Sequence, residues 1–298
     1  MSLKVIPKPN NINLFLSDFG QLTKIRLSFS IVFSSLAGYF LAADFLNTRT
    51  IILLILGGYL IVGASNAFNQ ILEKDLDLLM LRTRNRPLPA RRMSSIKATL
   101  ISLFMTIIGL MLLYKINTRT AIFGAISIII YTCVYTPLKT KTPLSVFFGA
   151  IPGAIPFMLG WVAHSNKFGI EPGILFMIQF FWQFPHFWAI GWMLDKDYKK
   201  AGFKMLPTGY KDRSTGFLIL LYTFWMILIS LFPITKYTGL LNLSILAAII
   251  IFILGLIMLY YALDLIKKKS TKSAKKLMYM SIAYLSLVQI IYVFDKFI

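Results

Sequence analysis

Residues 69–87 of this 298-residue chain read NQILEKDLDLLMLRTRNRP, and this stretch decides how the rest of the sequence is interpreted. It leaves an apolar segment and places acids, then arginines, at the end of a predicted membrane helix. Ionisable groups at such a place usually mark function in a membrane protein. If the helix persists, Asn69, Glu73 and Asp77 stand at i, i+4 and i+8, so their side chains project from nearly one face.

Three oxygen-bearing side chains on one helical face suit a hard divalent cation. Magnesium held by one or two carboxylates completes its coordination with water and phosphate oxygens, and the arginines just downstream would bind the same phosphates. The stretch therefore indicates that a diphosphate is handled with Mg²⁺ at a membrane surface. The competing interpretation of these acids is ordinary i,i+4 pairing with nearby bases on a solvated helix end.

The composition predicts an all-α integral membrane protein. A mean hydropathy of +0.73, with 57% hydrophobic and 14% charged residues, exceeds what a soluble core of this size requires. We predict one polytopic domain over residues 1–298, with a polar segment over 1–25 that lacks a signal or transit pattern. The bundle is expected to surround a central cavity. Nine spans are predicted at 27–46, 50–72, 95–114, 119–137, 143–163, 172–194, 216–235, 240–263 and 277–296.

The charge of the chain is best explained by membrane topology. The net charge is +20, but the cations are interrupted by spans rather than gathered on one soluble domain, which argues against nucleic acid as a partner. Most of the 31 lysine and arginine residues fall on the same side as the N-terminus. The positive-inside rule therefore predicts that the N-terminus and the loops after spans two and six are cytoplasmic.

Acids are scarce in this chain, which makes their positions informative. Of the eleven, more than half lie in two loops on the predicted cytoplasmic side. The second of these loops contains Asp195, Asp197 and Asp212. The structural alternative for this group is again local ion pairing, for example between Asp195 and Lys199.

One of the two histidines, His186, lies inside a predicted span, within the sequence WQFPHFW at 182–188. A neutral imidazole at that depth can hydrogen-bond to a neighbouring helix, relay a proton or ligate iron. From the residues alone, the bond between helices is the favoured interpretation. The fifth span contains GAIPGAIP at 149–156, a break that is tolerated where neighbouring helices or a cavity satisfy the freed carbonyl groups.

Several of these segments resemble a known family. Residues 69–87 resemble the first aspartate-rich signature of the UbiA superfamily of intramembrane prenyltransferases. The segment at 182–188, followed by DYKKAGFKMLP at 197–207, is similar to the heme branch of that superfamily, the heme O synthases or protoheme IX farnesyltransferases. YTPLK at 135–139 and the Gly/Pro-rich fifth span also match that branch, so the resemblance extends over most of the chain.

The resemblance is not complete. Glu73 stands where many members have aspartate, a change that keeps the carboxylate. Gln70 stands where quinone-type relatives often have aspartate, and Lys199 stands where they continue with another acid. Both of these changes remove a carboxylate from the family pattern.

The resemblance implies a reaction in which the farnesyl group of farnesyl diphosphate is joined to a vinyl group of protoheme IX, with water added. It implies Mg²⁺ bound by Asn69, Glu73, Asp77, Asp195 and Asp197, with Asn69, Glu73, Asp77 and Asp197 as the catalytic set. The phosphates would be held by Arg82, Arg86, Lys139 and Lys204. It also implies that His186 contacts heme, as an axial ligand.

The same resemblance implies a multi-pass protein of the bacterial plasma membrane, embedded in the lipid bilayer, with an active site that opens to the cytoplasm. Its product would pass to heme A synthase or to cytochrome oxidase assembly. Two alternatives remain open. One is prenylation of an aromatic quinone precursor, which shares the first signature but not the histidine segment. The other is a cation-coupled transporter, which predicts internal repeats and acids near the bilayer midplane.

Overall fold

The computed structural model describes residues 11–298, and every regular element within that range is a helix. The predicted N-terminal segment over 1–25 falls in part on residues 1–10, which lie outside the described residues. The α-helices are α1 (Asn11–Leu22), α2 (Ile25–Ala42), α3 (Thr48–Leu72), α4 (Lys74–Leu79), α5 (Ser95–Tyr114), α6 (Thr118–Ile129), α7 (Thr136–Leu138), α8 (Ser145–Ser165), α9 (Ile170–Lys200), α10 (Arg213–Leu231), α11 (Ile245–Lys268) and α12 (Thr271–Phe297). A π-helical turn, Ile130–Tyr135, joins α6 to α7, and a 3₁₀ turn, Phe232–Thr235, follows α10.

Each of the nine predicted spans coincides with helical structure, which confirms the all-α membrane bundle. Within residues 11–298, 8 helices are long and apolar enough to cross a bilayer. The remaining predicted span belongs to α9, whose 31 residues include several polar side chains. The number nine is therefore approximate, while the central cavity and the cytoplasmic N-terminus stay predictions.

Helix α9 carries polar side chains because its neighbours satisfy them. Gln183 Nε2 donates to the Ala150 carbonyl oxygen at 2.8 Å, and Gln179 Oε1 accepts from the Phe157 N–H at 3.1 Å. Both partners lie on α8. A buried amide that is hydrogen-bonded costs little, so a helix enclosed by others does not need the hydropathy of a lipid-facing one.

Helix α8 contains the predicted Gly/Pro break and remains helical through it, with Pro152 and Pro156 inside the helix. Pro156 has no N–H and leaves the Pro152 carbonyl oxygen without its helical donor. Ser127 on α6 donates its hydroxyl to that oxygen at 3.5 Å. A neighbouring helix thus replaces the missing bond, as the membrane environment requires.

Helix α1 differs from the prediction, which placed only a polar segment there. Its Asp18 is buried and accepts from Arg92 Nε at 2.9 Å. Gln70 Nε2 donates to the carbonyl oxygens of Gln21 and Leu22 at 3.0 and 2.7 Å. These bonds attach α1 to the end of α3 and to the loop that follows it, which is tertiary information that no local pattern carries.

Candidate active site

Two of the three acids of the first signature, Glu73 and Asp77, are buried where α3 ends and α4 follows, and we call residues 69–87 the first rim. Glu73 is 4% exposed and Asp77 is 0% exposed. Glu73 Oε1 lies 2.8 Å from Lys139 Nζ, and Asp77 Oδ2 lies 2.8 Å from Arg86 Nη1. Asp77 Oδ1 is buried without a hydrogen-bond partner among residues 11–298. Each of these acids thus pairs with a base, as the competing interpretation proposed. Both acids are buried, however, whereas that interpretation placed them on a solvated helix end.

The helix that carries these acids is interrupted at Glu73, just after the predicted end of the second span at residue 72. Glu73 has φ −100° and ψ 8° and separates α3 from α4. The i→i−4 bonding nevertheless continues, because Glu73 N–H donates to the Asn69 carbonyl at 3.0 Å and Asp77 N–H to the Glu73 carbonyl at 2.7 Å. Asn69, Glu73 and Asp77 therefore follow one another on successive turns, despite the kink.

Lys139 reaches the first rim because of the π-helical turn at the end of the fourth span. Thr136, which follows this turn, donates to the Tyr131 carbonyl at 2.8 Å and accepts from Asn69 Nδ2 at 3.1 Å. The Lys139 ammonium then lies 4.5 Å from the centre of the Tyr135 ring. Such π turns occur frequently at functional sites.

The charge of Lys139 is maintained by its carboxylate partner. Burial by itself disfavours the ammonium form, but the charge and hydrogen bond of Glu73 hold the pKa of Lys139 above its usual value. The first rim therefore contains a fixed cation next to its acids.

Lys24 lies close enough to the first rim to sense its charges, which the sequence did not lead us to expect. It connects α1 to α2 with a left-handed backbone at φ 48°. Desolvation, followed by the nearby charges of Arg86 and Lys139, lowers the pKa of Lys24 from 10.5 to about 7. From its position just before the first span, Lys24 was counted only among the cations that set the membrane orientation. The one further signal in the sequence is that Lys24 and the acids are predicted to lie on the same side of the membrane.

The other three predicted phosphate-binding residues are more accessible than Lys139. The Arg86 side chain is 18% exposed and pairs with Asp77, as described above. Arg82 is exposed, and its charge reaches the environment of Lys24. Lys204 is exposed as well, and its Nζ donates to the Lys141 carbonyl at 3.1 Å.

The second group of acids lies in residues 195–212, which comprise the last turns of α9 and the loop before α10 and form a second rim at the same end of the bundle. The Lys204 N–H donates to the Lys139 carbonyl at 2.7 Å, and the Phe203 ring centre lies 5.6 Å from Lys139 Nζ. Tyr198 is close enough to Arg82 and Glu73 to sense their charges. The structure thus brings the two loops together, as the sequence led us to expect.

The acids of the second rim are engaged by lysines rather than gathered with those of the first. Asp195 Oδ2 lies 3.1 Å from Lys199 Nζ and 3.8 Å from Lys211 Nζ. Asp197 Oδ1 lies 4.0 Å from Lys200 Nζ. Asp212 caps α10 by accepting from the Thr215 N–H at 2.7 Å, which is a structural role.

The first rim fits a magnesium ion better than the second. Within the described residues, no group of three or more His, Cys, Asp or Glu side chains is arranged to hold a metal. Asn69, Glu73 and Asp77 supply hard oxygen donors, and Asp77 Oδ1 is an acceptor that receives no hydrogen bond from residues 11–298. Two carboxylates with open positions for water and phosphate are the usual environment of Mg²⁺.

His186 lies on α9, and its side chain contacts α12. Its Nδ1 is 2.8 Å from Ser281 Oγ, so the bond between helices that the residues favoured is present. The ring of Trp182 stacks on the imidazole at 4.6 Å between centroids. His186 itself is only partly buried.

Comparison with known proteins agrees with this arrangement. The model of the UbiA prenyltransferase family matches residues 31–287. A protein of Christiangramia forsetii named protoheme IX farnesyltransferase is 64% identical over 283 residues, which cover 95% of this chain and 94% of that protein. A protein of the same name from Flavobacterium psychrophilum is 60% identical over 290 residues, which cover 96% of this chain and 97% of that protein.

Solved structures with the same fold are far less similar in sequence. A digeranylgeranylglyceryl phosphate synthase superposes with a TM-score of 0.78 at 19% identity, covering 94% of this chain and 98% of its own. A UbiA homolog from Archaeoglobus fulgidus, bound to DMAPP and Mg²⁺, superposes with a TM-score of 0.67 at 15% identity, covering 90% of this chain and 99% of its own. The sequence match over residues 31–287 and the shared helical fold show that this chain belongs to the UbiA prenyltransferase family.

Proposed function

We propose that this membrane prenyltransferase transfers the farnesyl group of farnesyl diphosphate to a vinyl group of protoheme IX and adds water, which yields heme O. The observation that carries the proposal is the pair of buried carboxylates, Glu73 and Asp77, set among cations at one end of the bundle. The identity of 64% to a protein named for this reaction supports the choice of substrates.

The first rim binds the diphosphate together with Mg²⁺. Asn69, Glu73 and Asp77 would hold the ion, and Asp195 and Asp197 on the second rim would be its further ligands. Bound there, Mg²⁺ would neutralise the negative charge that develops on the leaving diphosphate. In the structure, each of these acids pairs with a lysine or an arginine.

The cations of the two rims hold the phosphate oxygens. Arg86 and Lys139 neutralise Asp77 and Glu73 in the structure, at 2.8 Å in each pair. With a diphosphate and its metal ion bound, Arg86 and Lys139 would contact phosphate oxygens, and Asp77 and Glu73 would be available to the metal. Arg82 and Lys204 add charge from the exposed side, and Lys24 adds charge from the start of α2.

The reaction then proceeds in the apolar region below the rims. The bond between C1 of the farnesyl group and the diphosphate oxygen breaks, and the diphosphate leaves with the electron pair. The π electrons of the vinyl group form the new bond to C1. Water captures the resulting cation beside the pyrrole ring and releases a proton. The ring faces of Tyr135 and Phe203, which already surround the Lys139 ammonium, suit a developing positive charge.

His186 contacts the heme and serves as an axial ligand of its iron. It stands in the span below the second rim, about two and a half turns before Asp195. This location orients the porphyrin within the bundle and leaves a vinyl group free to meet the farnesyl cation.

A direct comparison of acceptors tests the proposal. Purified protein is incubated with Mg²⁺, labelled farnesyl diphosphate and either protoheme IX or a hydroxybenzoate, and the products are identified by mass spectrometry. We expect label only on the heme, whose mass should rise by one farnesyl group and one hydroxyl group. Label on the hydroxybenzoate alone would favour the quinone-type reaction instead. Release of diphosphate without label on either acceptor would overturn both.

We also propose where this chain lies and which proteins receive its product. The chain lies in a bacterial plasma membrane with its rims facing the cytoplasm, where farnesyl diphosphate is accessible. The excess of cations on the side of the rims supports this orientation. Its product passes within the membrane to heme A synthase or to cytochrome oxidase assembly.

A further inference from the structure

The His186 imidazole is held on two sides by contacts that a simple bond between helices does not need. Trp182, one turn earlier on α9, stacks on it with an interplanar angle of 18°. The Trp182 indole N–H donates to the Ser281 carbonyl oxygen at 2.6 Å, and the Ser281 hydroxyl contacts His186 Nδ1 at 2.8 Å. One residue of α12 therefore fixes both aromatic rings through its backbone and its side chain.

The direction of the bond between Ser281 and His186 follows from the remaining contact of the hydroxyl. Ser281 Oγ donates to the Met278 carbonyl oxygen at 2.7 Å. A serine hydroxyl has one proton to donate, so in this geometry Oγ accepts from His186 Nδ1–H. The imidazole is thereby held as the Nδ1–H tautomer, and Nε2 carries the free lone pair. No residue of the described range, 11–298, forms a hydrogen bond with that Nε2.

His186 lies on the same face of α9 as Asp197. It precedes Asp197 by about three helical turns and is offset from it by about 20° around the axis. Its ring therefore faces the same side of the bundle as the second-rim carboxylate, while Gln183 and Gln179 bond to α8. A ligand held at Nε2 would lie below the acidic rims.

We propose that Ser281 and Trp182 are positioning residues that fix the tautomer and the ring plane of His186, so that Nε2 is presented to the iron of the porphyrin substrate. This inference rests on the proposed function, in which His186 is an axial ligand. Histidines that bind metal commonly donate their other ring N–H to an acceptor, which fixes the tautomer and raises the basicity of the ligand, and loss of that acceptor costs 10–100-fold in metal affinity.

The test uses the purified full chain with ferrous protoheme and no prenyl donor. Heme affinity is measured from the Soret band, and the strength of the iron–histidine bond from its resonance Raman stretching frequency. Ser281→Ala is expected to weaken heme binding about 10–100-fold and to lower that frequency. Ser281→Thr keeps a hydroxyl and is expected to restore both. Trp182→Phe keeps a stacked ring but removes the indole N–H, so a smaller shift in the same direction is expected.

Two controls separate positioning from general destabilisation. Ser273→Ala removes another α12 hydroxyl, one that donates to Asp264 at 2.6 Å and is not in contact with His186. Its heme spectra are expected to match those of the wild type. Binding of farnesyl diphosphate with Mg²⁺, measured on Ser281→Ala, is expected to be unchanged, because the rims lie on other elements.

The outcomes distinguish this inference from the function on which it rests. If Ser281→Ala bound heme with the affinity and the iron–histidine frequency of the wild type while His186→Ala lost both, the positioning role would be wrong and the axial ligand would stand. If His186→Ala kept the wild-type spectra, the ligand assignment would be wrong and this inference would fall with it.

Discussion

Asp77 Oδ1 is a buried carboxylate oxygen that receives no hydrogen bond from residues 11–298, while the other oxygen of the same group pairs with Arg86. An unsatisfied buried acceptor on a charged group is costly, so its retention calls for a partner outside the chain. A bound cation is the partner that this oxygen chemistry suits. The sequence indicated this carboxylate as a ligand, but only the structure identifies which of its oxygens is free.

We predict that Asp77→Asn lowers kcat/KM for farnesyl transfer by about 10²–10³-fold, because charge stabilisation at the diphosphate is lost. Glu73→Gln should behave similarly, and heme binding should survive in both variants. Steady-state assays with Mg²⁺ as the varied ligand measure the effect.

Asp75→Asn is the matched control, since Asp75 lies two positions from Asp77 but is exposed. Its rate should stay close to that of the wild type. Equal losses in the Asp75 and Asp77 variants would contradict the assignment and indicate only a general effect of charge.

The lowered pKa of Lys24 predicts that diphosphate binding depends on pH. Its pKa is lowered to about 7, so in the ligand-free protein at pH 8 this side chain is mostly neutral. An arriving diphosphate raises that pKa, and the complex therefore takes up a proton. Because the bound state holds more protons than the free state, the affinity for diphosphate falls as the pH rises above 7.

Calorimetry at pH 8 in buffers of different ionisation enthalpy measures this proton uptake. In Lys24→Arg the uptake should disappear while the affinity is retained, since arginine stays charged at every accessible pH. Uptake of the same size in Lys24→Arg would assign the proton to a different group.

At the level of elements, glycines set the distance between α2 and α8. A Cβ on Gly160 would overlap the Ser35 carbonyl oxygen and the Tyr39 nitrogen, and a Cβ on Gly38 would overlap the Phe157 carbonyl oxygen. Small residues at such crossings let helix backbones approach closely within a membrane. The spans themselves were predictable from hydropathy, but this crossing was not.

Gly160→Ala is therefore expected to destabilise the bundle by about 1–3 kcal/mol, because the backbones must separate. Gly173→Ala is the control, since Gly173 is also helical and a Cβ there meets nothing within 4 Å. That control should be neutral or slightly stabilising. Thermal unfolding in detergent compares the two variants, and equal melting temperatures would contradict the packing argument.

Two elements show where prediction from local pattern failed. Helix α1 was missed because it is attached by Arg92 and Gln70, which are distant in sequence from its own residues. The exact break at Glu73 was not predicted, because spacing at i, i+4 and i+8 is compatible with an unbroken helix and no glycine or proline stands at that position.

For the whole molecule, orientation is the main prediction. The cation excess places Arg84, in the loop of the first rim, in the cytoplasm and Lys167, between α8 and α9, on the opposite side. In a Cys133→Ser background, Arg84→Cys should react with an impermeant maleimide in inverted membrane vesicles only. Lys167→Cys should react in right-side-out vesicles only. The reversed pattern would invert the proposed topology and the access route for farnesyl diphosphate.

By itself the sequence predicted the class of the protein, the spans and the two groups of acids, because each of these follows from hydropathy, charge or helical spacing along the chain, while the side chains assigned to metal and phosphate remain predictions that rest in part on the family resemblance. Only the tertiary structure decided that Glu73 pairs with Lys139, that Lys24 lies near the charges of the first rim, and that Ser281 forms a hydrogen bond with His186. Each of those contacts joins distant parts of the chain, and a periodic pattern carries no information about which helix will be its neighbour.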